Sequence, residues 1–321
     1  MRRIVRSEAI CLRVQDYHES SKLVTFFTLE RGKVSCLAKG ARRLRSKFGA
    51  ALDIFAQSRI IYYSHETRTL LTLSDAELVH SFSSLALRPE RFLAAEQMAE
   101  FALRVIQPLD PSPQLYRLLL NYLSTIESFS LPPPSSLLPP HSSLLTPPYP
   151  ALVCSFLLKA ASFLGFRPEL RRCLICRRPI EGPRPAYFDA ERGGIVCPRC
   201  AGENPSGTRL DPARLDTLAF LLYTPASEIA RVFSSGPEPA TGDNRQERQG
   251  RQDSGPENPQ SPPPASYSAN LQSPIYNLES PLALLPLPSS LLDLVLGFLG
   301  HHFDPLVLNS FHWHAGLERN I

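Results

Sequence analysis

The spacing of hydrophobic and polar positions changes once along this chain. Up to about residue 80 the apolar runs are short and rich in β-branched and aromatic side chains. They read "IVRSEAICLRV" (4–14), "KLVTFFTLE" (22–30), "VSCLAKG" (34–40), "LDIFAQSRIIYY" (52–63) and "TRTLLTLSDAELV" (67–79). Their lengths and their separation by signals such as "RGK" (31–33) predict strands. Five strands in so short a span suit a small closed barrel, and an OB-fold is the five-stranded barrel that most often binds single strands. Strand count alone also admits an SH3-like barrel or an open meander.

From residue 89 the spacing becomes helical. In "PERFLAAEQMAEFALRVIQ" (89–107), Phe92, Ala95, Met98, Ala99, Ala102, Val105 and Ile106 share one face. "PQLYRLLLNYLSTIESF" (113–129), "PALVCSFLLKAASFLGF" (150–166), "DPARLDTLAFLLY" (211–223) and "SSLLDLVLGFLGHHF" (289–303) predict further helices. Gly165 with Pro168 beyond it is a stop signal for the third of them. The expected fold class is α+β: a five-stranded barrel over 1–82, then a helical domain over 83–321.

Two stretches follow neither period. "LPPPSSLLPPHSSLLTPPYP" (131–150) and the region 234–285 are dominated by Pro, Ser, Gly and polar residues. Such composition buries too little surface to offset the entropy of ordering, so both read as insertions between helices.

Charge changes the picture at one end. The 321-residue chain carries a net charge of +4, but its first fifty residues hold twelve Lys/Arg against Glu8, Asp16, Glu19 and Glu30. Within "KGARRLRSK", Lys39, Arg42, Arg43, Arg45 and Lys47 stand in nine residues, and no acid occurs from Gly32 to Leu52. Arg31 and Lys33 precede them in the turn before the third strand. A basic loop between barrel strands suits phosphate, with guanidinium forks for oxygen atoms or base faces and lysines as point charges. A solubilising loop or a protein-docking patch has the same composition. No segment reaches the roughly 18 apolar residues of a membrane span, and the start has no signal-peptide core, so a cytoplasmic protein is expected.

"CLIC" (173–176) and "CPRC" (197–200) form two C-x₂-C knuckles. This spacing brings four thiolates to one tetrahedral ion and predicts a structural zinc site made by Cys173, Cys176, Cys197 and Cys200. Four thiolates leave no open position for a reacting water. Gly193 and Gly194 are expected to form a tight turn before the second knuckle, and nearby arginines to offset the site's negative charge. Cys11, Cys36 and Cys154 lie in strand or helix patterns and read as small core residues. His301, His302, His312 and His314 near the C-terminus read as a helix end and tail, with a second metal site as the alternative. No G-x-x-x-x-G-K-[ST], H-x-E, H-E-x-x-H or G-x-S-x-G occurs, which removes the corresponding phosphate-cradling, deaminase, zincin and hydrolase readings.

Two separate stretches carry a family resemblance. Tyr17, Glu19, Ser20, Gly32, Lys39, Gly40, Ala41, Arg42, Ser46, Leu52 and Phe55 fit an N-terminal signature. "FLLKAASFLGFRPELRRCLIC" (156–176) and "FDAERGGIVCPRC" (188–200) fit a helix, an L-G-F-x-P link and a four-Cys insert. In this the chain resembles the bacterial recombination mediator family RecO. The late "LNS" (308–310) stands where that family has L-K-S, and the two insertions are not part of its core. The resemblance implies an OB-fold, binding of single- and double-stranded DNA, and annealing of complementary strands, including those coated by single-strand binding protein (SSB), without nucleotide hydrolysis. It further implies RecR and, in some settings, RecF as partners in loading recombinase at gaps, and the acidic C-terminal tail of SSB as a ligand of the helical domain. Lys159, Arg167, Arg171 and Arg172 are the basic residues suggested for that tail. An alternative is a zinc-containing adaptor that docks SSB or RecR, with DNA binding incidental. Neither reading involves a small-molecule substrate or a membrane.

Overall fold

Strand β1 (Arg3–Tyr17) is buried at four consecutive positions, Ala9 to Leu12. A strand wetted on one face would alternate; this one is covered on both. Ala9 and Cys11 point into a barrel, while Ile10 and Leu12 join a second core shared with helices. A bulge between Cys11 and Arg13 re-aims the strand where it leaves the helices.

The computed structural model describes residues 3–64, 70–129, 148–180, 185–203, 205–234 and 289–303. Strands β2 (Ser21–Thr28), β3 (Gly32–Ala38), β4 (Gln57–Ser64) and β5 (Leu70–His80) complete the barrel with β1. The order is β1-β2-β3-β5-β4, closed by antiparallel pairing of β4 with β1. Only β3 and β5 run parallel, through Ser35 to Leu37 beside Leu70 to Thr72. This closed Greek-key order is that of an OB-fold, and it removes the meander from the alternatives. Val34, Cys36 and Ala38 alternate inward along β3 and meet Val24, Phe26, Ile60, Tyr62 and Leu73.

Helices α1 (Pro89–Val105), α2 (Pro113–Ser128) and α3 (Tyr149–Phe163) follow. Every residue of α3 from Ala151 to Leu158 is buried, so this helix forms the centre of the domain. Around it pack α5 (Pro212–Tyr223), α6 (Ala226–Ser234) and α7 (Ser289–His302). Asp211 caps α5 by accepting the Arg214 N–H at 2.8 Å. The cysteine insert folds a three-stranded antiparallel sheet ordered β7-β6-β8, from β6 (Ala186–Asp189), β7 (Gly194–Val196) and β8 (Thr208–Leu210), with a short helix α4 (Pro198–Ala201).

The barrel and the helices share one core. Phe27 meets Tyr116 edge-on at 5.5 Å, and Phe55 meets Phe92 at 5.5 Å. A backbone clasp closes the seam: Lys33 N–H donates to the Gln107 carbonyl and Leu109 N–H to the Arg31 carbonyl, each at 3.1 Å.

Several expectations shift. Tyr149, assigned to the first insertion by composition, opens α3 together with Pro150, and its hydroxyl accepts from Arg91 Nε at 3.1 Å. Helix α6 and the small sheet were not anticipated, because their runs are too short to show a period. Gly193 has φ +71° and forms a turn as expected, but Gly194 lies in β7. A Cβ on Gly194 would stand 2.8 Å from the Glu169 carbonyl oxygen, so its role is close backbone approach. Residues 130–147 and 235–288, the "LNS" segment, His312, Trp313 and His314 lie outside the described residues.

Candidate nucleic-acid interface and metal centre

The basic loop joins β3 to β4 and is built from short-range hydrogen bonds. Arg43 N–H donates to the Gly40 carbonyl at 3.1 Å and Ser46 N–H to the Arg43 carbonyl at 2.9 Å. Arg42 N–H donates to the Ser20 carbonyl at 3.0 Å, and the Arg42 guanidinium reaches the His18 carbonyl at 3.0 Å and Asp16 at 3.4 Å. The loop therefore leans on the turn between β1 and β2, an edge at which OB-folds bind oligonucleotides. Lys47 Nζ donates to the Ser74 carbonyl on β5 and lies 5.3 Å from the centre of the Phe48 ring. Lys39, Arg43 and Arg45 are exposed without an ion pair to any described residue, and Leu44 between two of the arginines is fully exposed.

Two other expected cations lie elsewhere. Arg31 and Lys33 are at the opposite end of β3 from Lys39, about 20 Å along the strand. Lys33 Nζ donates to the Leu103 carbonyl at 3.1 Å, and burial lowers its pKa. It belongs to the seam with the helices, because strand geometry separates residues that are close in sequence. In exchange the fold brings Tyr17 and His18, in edge contact at 4.2 Å, beside Arg42. Tyr17 is exposed at this rim although Asp16 and Glu19 flank it in sequence, so no basic run marked it; only its place in the N-terminal signature did.

In the insert, Cys173, Cys176, Cys197 and Cys200 bring four Sγ atoms within 4.8 Å of one another. The first knuckle is a turn in which Arg177 N–H donates to the Cys173 carbonyl at 2.9 Å. The second is the start of α4, where Cys200 and Ala201 donate to the Cys197 carbonyl at 3.0 Å. Tetrahedral zinc with Zn–S near 2.3 Å needs sulfurs about 3.8 Å apart, and Cys176 and Cys197 stand at 3.9 Å. The electrostatics also suit a cation. Burial alone would raise the Cys173 thiol, but N–H groups of Cys197, Cys176 and Ile175 outweigh it and hold it at about 6. The neighbouring thiols of Cys197 and Cys176 push Cys200 up to about 12, so four thiolates need a cation among them. Among the described residues this is the sole such cluster. His302 Nε2 instead donates to the Ala190 carbonyl at 3.1 Å, and the ring packs on Phe298 and Phe166. Cys11, Cys36 and Cys154 are buried, and desolvation pushes each thiol up to about 12. On α1, Glu96 is exposed and Glu100 faces Arg104 at 3.6 Å.

The basic residues suggested for an acidic tail partly converge. Arg167 and Arg171 stack over the Tyr223 ring at 5.1 and 4.2 Å. Lys159 reaches the next residue, donating to the Thr224 carbonyl and, at 3.0 Å, to the Tyr122 hydroxyl. Arg172 lies on the knuckle side.

A closed OB barrel with a basic rim, fused to a helical domain that carries a cluster of four cysteines, defines the fold class of this protein. Known sequences specify it further. Residues 1–82 match the family model for the recombination protein O N-terminal domain, and residues 143–242 that for its C-terminal domain. A DNA repair protein RecO from Anaeromyxobacter sp. is 32% identical over 238 residues, covering 74% of this chain and 85% of the relative. One from Heliobacterium modesticaldum is 32% identical over 234 residues, covering 72% and 78%. One from Rubrobacter xylanophilus is 31% identical over 228 residues, covering 71% and 84%. The chain belongs to the RecO family of DNA repair proteins. No helix among the described residues is long and apolar enough to cross a membrane.

Proposed function

We propose that this protein is a non-enzymatic mediator of DNA repair and recombination that binds DNA strands and anneals complementary ones. The carrying observation is the exposed loop of Lys39, Arg42, Arg43, Arg45 and Lys47, braced against the β1–β2 turn of a closed OB barrel. Base pairing supplies the free energy of annealing, so the protein must only screen phosphate repulsion and hold strands near each other. Cations fixed on a stable rim do this. Zinc held by Cys173, Cys176, Cys197 and Cys200 acts structurally, tying the two knuckles to β6 and β7. RecR, and in some settings RecF, are the partners in recombinase loading, and the site of action is the bacterial cytoplasm at the nucleoid.

The test is annealing of two complementary DNA strands precoated with SSB, with purified protein and no nucleotide, at two salt concentrations. Salt-sensitive annealing supports the reading; absence of annealing by folded, zinc-loaded protein overturns it. A second reading, the SSB-docking adaptor, is favoured by the cations gathered around Tyr223. It predicts that an acidic SSB-tail peptide binds wild type and binds Y223A and R171A more weakly, with DNA affinity unchanged.

A further inference from the structure

The zinc ribbon gathers its positive charge beside the metal ligands. A divalent ion with four thiolates has a net charge of −2. Arg171, Arg172, Arg177, Arg178 and Arg199 lie beside the ligands, and no Asp or Glu occurs in 170–180 or 194–202. Over 169–203 seven arginines stand against five acids, which matches the −2 of the metal site, and the positive excess is concentrated in the two knuckles themselves. Arg171 is engaged on Tyr223. Arg172, Arg177, Arg178 and Arg199 are exposed, and none forms an ion pair with a described residue. Glu169, the acid that precedes the first knuckle, turns its Oε1 to the backbone N–H groups of Arg171 and Arg172 at 2.8 and 3.1 Å.

These arginines stand on one rigid object. Arg172 is bridged through the backbone to Pro179, and Cys173 N–H donates to the Arg178 carbonyl at 2.9 Å, which fixes Arg172 and Arg178 on adjacent rungs at the base of the first knuckle. Arg177 follows Cys176 in a left-handed conformation, φ +59°. Arg199 lies between Cys197 and Cys200 on the facing knuckle, whose sulfurs meet those of the first. Ile175 to Pro179 are exposed in succession, so the first knuckle protrudes, with Ile175 52% exposed at its tip. An arginine cluster can also read an acidic peptide, but a protruding tip offers no pocket for the peptide's side chains. A flexible phosphate chain tracks over protruding cations, and guanidinium forks suit its oxygen atoms.

We propose that the ribbon face formed by Arg172, Arg177, Arg178 and Arg199 is a second binding surface for a single nucleic-acid strand, separate from the barrel rim. The inference deepens the annealing reading and rests on it in one respect: annealing needs one protein to hold two strands. The barrel rim takes one strand and the ribbon the other. Zinc then has a mechanical role toward nucleic acid as well as toward folding, because it fixes the spacing of arginines on the two knuckles.

The experiment uses the full chain loaded with zinc and two oligothymidine strands, one with a donor dye and one with an acceptor. Such strands cannot pair, so energy transfer reports one protein holding both. Wild type is expected to give transfer. R177A/R178A/R199A is expected to lose it while still binding one strand, with a salt slope for total binding shallower by roughly two for three lost phosphate contacts on a single strand. R177K/R178K/R199K keeps the charge and is expected to restore transfer. Zinc content and the thermal melt report folding; if the alanine variant loses zinc, R178Q/R199Q is read instead, with partial loss of transfer expected. Undiminished transfer in the folded ribbon variants, or none in wild type, overturns the inference. Loss of an acidic peptide's binding in the ribbon variants, with transfer untouched, overturns it in favour of a protein partner. R42A/R43A/R45A is measured in parallel: an unchanged result there refutes the barrel assignment alone.

Discussion

Gly32 and Asp110 lie in van der Waals overlap with any side chain that might be added at the former: a Cβ on Gly32 would stand 2.2 Å from the Asp110 carbonyl oxygen. Gly32 also has φ +61°, in the left-handed region. It ends the turn that opens β3, and its neighbours Arg31 and Lys33 make the backbone clasp to Leu109 and Gln107. The permissive backbone and the close approach occur at one residue, and that residue joins the barrel to the helices.

G32A is therefore expected to weaken the whole protein. Left-handed strain adds about 1 kcal/mol, and displacement of the 107–110 backbone adds to it, so a loss of at least about 2 kcal/mol is expected. Urea melts followed by circular dichroism check this. A melt that matches wild type would show that the seam can open without loss of stability.

Replacing Arg42, Arg43 and Arg45 together by alanine is expected to weaken strand binding equally for all sequences. If four phosphates of a single strand are neutralised by the loop, log K falls with log salt at a slope near −3, and the triple variant should flatten it by roughly two. Fluorescence anisotropy at several salt concentrations measures both. An unchanged slope removes the loop from the interface.

Metal removal is expected to unfold the insert. A structural zinc supplies roughly 10 kcal/mol or more of folding free energy in small sites. Chelation or C173A should release Leu174 from Ile195 and Glu169 from Gly194, which are held only across the knuckles and β7. Loss of protection in amide exchange over 169–200 checks it, and an unaltered pattern in metal-free protein refutes a structural metal.

Lys159 makes stability depend on pH in a definite direction. Burial lowers its pKa to about 8 in the folded protein, against 10.5 for a free side chain. Between these values the unfolded chain binds the extra proton, so stability rises as pH increases through 8 and toward 10.5. The contribution is on the order of 2 kcal/mol. The buried thiols of Cys11, Cys36 and Cys154 act in the opposite sense above about 9, since they ionise on unfolding. The comparison is therefore between wild type and K159M from pH 7 to 9: the wild type gains stability relative to the variant. Parallel curves would show that Lys159 stays charged and solvated.

Much of this protein is legible in residue order because its chemistry is local. Alternation along β3, the acid-free run from Gly32 to Leu52 and the C-x₂-C spacing of Cys173 and Cys176 each act within one turn or strand. The helical spacing of α1 and α2 is set by one buried face and survives in the sequence. Helix α6 and β6 to β8 were not legible, since strands of three or four residues and a helix of nine are too short to establish their period apart from the surfaces they pack on.

By itself, then, the sequence determined the barrel strands, the long helices, the basic loop and the two C-x₂-C knuckles, all products of near-neighbour geometry. Tertiary structure alone decided that β3 pairs in parallel with β5 to close the barrel, that Lys33 faces Leu103 while Lys39 faces solvent, and that Arg167 and Arg171 share Tyr223. The physical reason is range. Propensity and spacing act over a few residues, whereas these contacts depend on packing between segments far apart in the chain, whose direction no local pattern specifies.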